Sequence, residues 1–356
     1  MSGTSLDGVD AALVAFTPEG LARLEGQVFL ALPDELQQAL LALNSAGANE
    51  IERSQLLANR LARLYAESVA TLLQQSGLNA ANIAAIGSHG QTIRHRPELG
   101  FTVQIGNSAL LAELTGISVV SDFRSRDIAA GGQGAPLVPA FHQAVFSHPA
   151  IHRVIINIGG ISNLTDLPPS GTVRGFDCGP GNLLLNGWIQ RHNGQNYDRD
   201  GAWAASGNII PALLQALLAH SFLRQAPPKS TGRDTFHLAW LETLLQAEYA
   251  PADVQATLLE FSARCISDAI RQHCASATGI YLCGGGGHNC ALVNRLQQLL
   301  GARMVKLTDS LGIGADWVEA AAFAWLARQT LLGRPGNLPS ATGANGLRIL
   351  GAVYPS

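Results

Sequence analysis

Gly175-Phe176-Asp177-Cys178-Gly179-Pro180-Gly181-Asn182 sets one carboxylate between an apolar run and a Gly-Pro-Gly turn, with a helix expected over 182–190. An acid at such a turn lies where backbone N–H groups and a polarised cleft support general-base chemistry. The same position also suits an acid that only caps a helix. The octapeptide by itself leaves both roles open, and the motifs around it weigh on the side of chemistry.

Two further glycine turns interrupt apolar stretches. Ser2-Gly3-Thr4-Ser5-Leu6-Asp7-Gly8-Val9-Asp10 runs into Ala11-Ala12-Leu13-Val14-Ala15-Phe16, and Val154-Ile155-Ile156-Asn157-Ile158 feeds Gly159-Gly160-Ile161-Ser162-Asn163-Leu164-Thr165. Both read as strand, tight turn, strand. Glycine lets the backbone come close to an anion, which hydroxyl and N–H groups then surround. Either hairpin alone is ordinary; one in each half of the chain suits the two ends of a polyphosphate. Neither is a Walker loop, and no Gly-x-Gly-x-x-Gly follows a first strand. A third cluster, Cys283-Gly284-Gly285-Gly286-Gly287-His288, joins a short apolar strand to a helix over 291–300, and its bare backbone suits a flat group such as a purine. Finally, Gly312-Ile313-Gly314-Ala315-Asp316-Trp317-Val318-Glu319 opens an alanine-rich helix with Asp316 and Glu319 in its first turn.

A chain of 356 residues exceeds the size at which one core normally stops growing, so two domains are expected. Hydrophobic content of 47% with 14% charged residues describes a well-buried globular protein. A net charge of -3 without a Lys/Arg run excludes a nucleic-acid footprint, so an anionic substrate must be met locally by N–H groups, arginines and a metal. Five cysteines without Cys-x-x-Cys spacing indicate neither a disulfide framework nor zinc. No signal peptide and no membrane span is read, and a cytoplasmic location is expected.

Strands are expected at 10–16, 83–89, 101–105, 117–121 and 279–283, with helices over 54–75, 108–114, 210–220, 238–248 and 254–273. Alternating strands and helices make an α/β protein. The expected division is a first lobe of residues 1–125, completed by the tail 340–356, and a second lobe of residues 126–339.

The order of these pieces resembles the superfamily of sugar kinases, actin and heat-shock chaperone ATPases. More narrowly, Ser2-Gly3-Thr4-Ser5-Leu6-Asp7-Gly8, Gly87-Ser88-His89-Gly90-Gln91-Thr92, Gly131-Gly132-Gln133-Gly134-Ala135-Pro136-Leu137-Val138-Pro139 and the Asp177 octapeptide resemble the anhydro-N-acetylmuramic acid kinase family along essentially the whole chain. The resemblance implies a two-lobed α/β sugar kinase/actin-like ATPase fold with the active-site cleft between the lobes. It implies an enzyme of cell-wall recycling that uses ATP and Mg²⁺ to open 1,6-anhydro-N-acetylmuramic acid with water and phosphorylate its 6-oxygen. Asp177 would be the base that takes the proton of that water and Glu319 an assisting carboxylate. Gly3, Thr4, Ser5, Asp7, Gly8, Asp10, Gly159, Gly160, Asn163, Gly284, Gly285 and Gly286 would hold the nucleotide, with Asp7 the metal ligand.

His89, Gln91 and Thr92 follow a strand end, where sites of α/β domains tend to lie. With Arg124, Arg126 and Gln133 they are candidates for the sugar, the arginines as clamps for its lactyl carboxylate or else as interdomain ion pairs. Lys229-Ser230-Thr231-Gly232-Arg233 is phosphate-friendly but equally a polar loop, and stands outside the candidate set. A small-molecule substrate, a homodimer, no nucleic acid and no membrane are the expected partners. In the resembling family an apolar strand leads into the first Ser-Gly-Thr-Ser, whereas here Met1 stands directly before it. The incoming half of that hairpin is therefore expected to be missing or reduced, which would leave ladder groups unsatisfied. Another sugar kinase, or a truncated non-catalytic ATP-binding copy, are the alternatives.

Overall fold

Apolar residues spaced three and four apart along Glu50–Ser76 (Leu57, Ala58, Leu61, Ala62, Tyr65, Leu72) bury one stripe of this helix, and Gly77 in the left-handed conformation ends it. In the computed structural model, which describes residues 1–3, 6–17, 20, 22–233 and 235–356, this stripe covers a long hairpin. The strands in chain order are β1 (Gly8–Phe16), β2 (Ala22–Ala31), β3 (Ile86–Gly87), β4 (Gln91–Arg96), β5 (Phe101–Ile105) and β6 (Val119–Ser121), followed by β7 (Arg153–Ile158), β8 (Ile161–Leu167), β9 (Arg174–Pro180), β10 (Gly279–Cys283), β11 (Met304–Leu307) and β12 (Ala352–Tyr354).

The chain divides into two compact units, Met1–Val145 with Trp317–Ser356, and Phe146–Asp316. In the first, β1 pairs antiparallel with β2, β4 with β5, and a short sheet runs β12-β6-β3. Its core includes Leu6, Val9, Leu40, Leu43, Leu61, Leu111 and Val119. The helix Val318–Leu331 packs on β1 and β3, and Gly87 makes that approach possible: a Cβ there would lie 2.1 Å from Phe323 O.

The boundaries differ from the expected 125/126 and 339/340. Residues 126–145 stay with the first unit because the buried Asp127 carboxylate accepts hydrogen bonds from Gly134 N, Asn337 Nδ2 and Thr342 Oγ1, each at 2.8 Å. The expected strand 83–89 shrinks to β3, since Asn79 and Asn82 close a reciprocal capping box just before it. The helix expected over 238–248 stops at Glu242.

The second unit is built on one five-stranded sheet in the order β11-β10-β7-β8-β9. Strands β7, β8 and β9 form an antiparallel meander; β10 and β11 run parallel to β7. The helix Cys290–Leu300 makes the crossover that a parallel pair requires. Phe176, Phe236, Phe261, Ile266, Leu282 and Leu292 lie in one core with the helix Pro251–His273. Its three glycine motifs all fall at turns next to this sheet, which is what positions the site.

Candidate active site

Asn157 in β7 pairs with Asn163 in β8, and Asn163 pairs with Asp177 in β9. Directly opposed residues of antiparallel strands share a face, so the three polar side chains form one row across the meander. Cys283 of β10 continues the register beside Asn157, and the glycine cluster begins at the next residue. A Cβ on Gly284 would lie 2.3 Å from Asn157 Oδ1, so the amide of Asn157 reaches the start of that cluster.

Two of the glycine motifs are one piece of structure. The N–H groups of Gly181, Asn182 and Leu183 donate to Gly160 O (2.9 Å), Gly159 O (2.8 Å) and Gly160 O (3.0 Å). The first turn of the helix Leu183–Asn193 is thereby docked on the Gly159-Gly160 hairpin. Gly181 permits this contact, since a Cβ would lie 2.4 Å from Gly159 O. Ser162 Oγ and Ser262 Oγ donate to Gly179 O (3.0 Å) and Gly181 O (2.8 Å), fixing the turn from two sides.

The glycines separate by what the fold demands of them. Gly284 (φ +76°) and Gly286, whose Cβ would meet Ile158 Cγ2 at 2.2 Å, are required by packing. At Gly159, Gly160 and Gly285 a Cβ would meet nothing closer than 3.5 Å. These three lie in room that the protein leaves empty, in backbone that other residues adopt.

Asp177 Oδ2 accepts the N–H of Thr231 at 2.8 Å, and Asp177 N donates to Lys229 O at 3.0 Å. The Lys229–Arg233 segment, set aside in the sequence, thus lies directly against the candidate base. Burial pushes the Asp177 carboxyl up from its ordinary 3.8 to about 6, against the Thr231 N–H and the nearby Lys229 ammonium, which both pull it down. A carboxyl with that value is ionised at neutral pH and still basic enough to take a proton. Asn157 was likewise missed; its signal was a single amide inside the apolar run Val154–Ile158.

The first unit gathers a second group of candidates. Arg124 donates from Nε (3.1 Å) and Nη2 (2.9 Å) to His89 Nε2, and from Nη1 to Gly134 O (2.7 Å). Arginine only donates, so His89 Nε2 must be the acceptor nitrogen and Nδ1, 2.7 Å from Gly90 O, carries the proton. Burial, and then the Arg124 charge, hold His89 well below the usual histidine range. Arg124 itself is lowered by burial to about 10, with Glu319 and Asp127 opposing the shift. Gln91 is buried with Oε1 lacking a partner among the described residues, while Thr92 Oγ1 accepts from Gln104 Nε2 at 3.1 Å. Arg126 and Gln133 are exposed, and the Arg126 guanidinium makes no hydrogen bond or ion pair among the described residues. A polar cavity of about 310 Å³ opens beside His89, lined also by Ser88, Gly90, Gln104, Ser121 and Asp122.

Of the first phosphate hairpin, Thr4 and Ser5 lie outside the described residues. Met1 and Asp10 exchange two main-chain hydrogen bonds of 2.8 Å, and Leu6 N donates to Gly3 O at 3.3 Å. The Asp7 side chain is exposed, Asp10 half-buried at the start of β1, and Gly8 packs against the Phe29 ring. The Met1 amino group is lowered by burial to about 6, with Asp10 and Glu319 holding it up. Among the described residues no group of three His, Cys, Asp or Glu side chains could hold a metal by itself, and no helix is long and apolar enough to cross a membrane.

A family model described as anhydro-N-acetylmuramic acid kinase matches residues 1–356. A protein of that name from Thiobacillus denitrificans is 58% identical over 359 residues, spanning 100% of this chain and 96% of its own. Its namesakes from Nitrosomonas europaea and Pseudomonas putida are 55% and 54% identical over 358 residues, spanning 100% of this chain and 98% of their own.

The raised Asp177 pKa makes a stability prediction. The folded state holds the proton up to a higher pH than the unfolded state does, so stability is full below about pH 4 and falls as pH rises to about 6. Asp177→Asn has no charge to desolvate. In urea titrations it should gain on the parent by roughly 1–3 kcal/mol between about pH 4 and pH 8. A difference that stays flat over this range would remove burial of the charge as the cause.

Proposed function

The chain belongs to the anhydro-N-acetylmuramic acid kinase family, and from that membership and the geometry around Asp177 we propose that it converts 1,6-anhydro-N-acetylmuramic acid, ATP and water into N-acetylmuramic acid 6-phosphate and ADP. It is a kinase of that family. In this scheme a water oxygen bonds to the anomeric carbon as the bond from that carbon to the 6-oxygen breaks. The 6-oxygen takes the γ-phosphoryl group, and Asp177 takes the proton of the water. The observation that carries the proposal is the half-buried Asp177 carboxylate, desolvated enough to raise its pKa and held by one N–H at the end of a polar row. Another sugar kinase of the superfamily is disfavoured by relatives that carry this one name at 52–58% identity.

The three glycines that packing does not require give the nucleotide its fit. Gly159 and Gly160 leave room for phosphate beside the backbone, and Gly285 leaves room for a flat base. Asn163 lies in the row next to them. For Mg²⁺ the donors are the Asp7 and Asp10 carboxylates, hard oxygens suited to an ion that keeps waters and phosphate oxygens as its other ligands. When bound it neutralises charge on the transferring phosphate. Arg126 is the better candidate for the lactyl carboxylate, because Arg124 already uses three of its N–H groups within the protein. His89, Gln91, Thr92 and Gln133 remain the proposed sugar contacts, and Glu319 keeps its assisting role on the resemblance alone. A cytoplasmic homodimer is part of the same proposal.

Asp177→Asn preserves shape but not basicity. Its kcat should fall by about 10²–10⁴-fold with sugar and ATP still bound, and the rise of wild-type kcat through about pH 6 should vanish. A near-normal kcat would reduce Asp177 to a turn residue. Gly160→Ala should leave the thermal midpoint nearly unchanged, since its Cβ has room, yet raise the KM for ATP by about tenfold or more. An unchanged KM would take the hairpin out of the nucleotide site.

A further inference from the structure

The strand that carries Asp177 has a partner no sheet register records. Asp177 N donates to Lys229 O, and Thr231 N donates back to Asp177 Oδ2, so residues 229–231 grip the aspartate from both its main chain and its side chain. The segment is anchored in turn. The Lys229 ammonium lies 4.7 Å from the centre of the Phe222 ring and donates to Phe222 O and Leu223 O, each at 3.3 Å. This directs the lysine into the 222–223 turn, where it holds the loop and biases the Asp177 charge from a distance.

Thr231 then presents an anomaly. Its Oγ1 is buried and has no hydrogen-bond partner among the described residues. A hydroxyl brings one donor and two acceptor sites, and leaving them all unmet is costly in a folded protein. Buried polar groups in that state are uncommon, and a catalytic use is one of the standing reasons for them. Here the orphaned hydroxyl belongs to the residue whose amide holds the candidate base. With Oδ2 occupied by that amide, Oδ1 is the oxygen left to accept a proton.

We infer that Thr231 belongs to the same reaction centre: its amide fixes one oxygen of Asp177, and its hydroxyl is a second hydrogen-bond partner for the molecule that Asp177 deprotonates. The role rests on the function proposed above, in which that molecule is water. Two partners, a carboxylate oxygen and a hydroxyl, define the direction of the water lone pair as well as its distance. Orientation of this kind is a large part of what a general base contributes.

The test is a pair of variants assayed with ATP, Mg²⁺ and the anhydro sugar, alongside thermal melting. Thr231→Val keeps the shape and the amide but deletes the hydroxyl; Thr231→Ser keeps both polar groups. The expected result for Thr231→Val is a kcat lower by roughly 10- to 100-fold, an unchanged KM for ATP and a melting point no lower than the parent's. Thr231→Ser should recover kcat to within about threefold. Combined with Asp177→Asn, Thr231→Val should add little further loss, because groups acting as a unit are not additive. A Thr231→Val kcat within about twofold of the parent overturns the inference. So does a loss of rate that comes with a lowered melting point and is not recovered in Thr231→Ser. If the parent itself does not turn over the anhydro sugar, the proposed function fails and this inference falls with it.

Discussion

The docking of the 179–181 turn on the Gly159-Gly160 hairpin is the contact from which the rest of the second unit's site follows. Three amide groups at the start of a helix give up their freedom to bind an outside anion and instead hold two carbonyls of the hairpin. Only a residue without a Cβ allows the approach at Gly181. Once the turn is seated, β9 is fixed in register with β8, Asp177 stands opposite Asn163, and Asn163 opposite Asn157. A polar row across three strands thus depends on a close backbone contact made by the turns beside it, not by any of its own members.

Partial burial of that row sets its electrostatics. Moving a carboxylate out of water disfavours its charged form, and a single amide and a distant lysine offset only part of this. The result is a base poised just below neutrality, at the expense of folding stability above that pH. In the first unit the same force acts with the opposite sign. His89 is kept neutral by burial and by the Arg124 charge, and Arg124 is held in place by accepting groups that cannot release it without leaving it unpaired. Desolvation thus acts in both units, poising Asp177 just below neutrality in one and keeping His89 neutral in the other.

Much of this was legible in the sequence, and the rest was not for identifiable reasons. The octapeptide named Asp177, and the glycine motifs named the turns around it, because glycine and proline constrain the backbone locally. The strand 279–283 appears as read and the helix read over 291–300 begins one residue earlier, at Cys290, since apolar runs bounded by glycine leave little ambiguity. What local patterns cannot carry is which loop returns to which strand. Thr231 lies 54 residues from Asp177 in the chain, and only the folded meander brings its amide to the carboxylate. The unit boundaries escaped for a similar reason: Asp127 is tied to Asn337 and Thr342, more than two hundred residues away. The three cluster glycines also looked alike as letters, whereas the structure separates Gly284 and Gly286, which packing requires, from Gly285, which it does not.

The central claim is that Asp177 activates water, which makes water a reactant in a kinase reaction. Turnover in ¹⁸O-labelled water, quenched before the product sugar can exchange its anomeric oxygen, tests this directly by mass spectrometry of the sugar phosphate. The account predicts one labelled oxygen at the anomeric carbon and none in the transferred phosphoryl group. Label in the phosphoryl group, or none at the anomeric carbon, would contradict it.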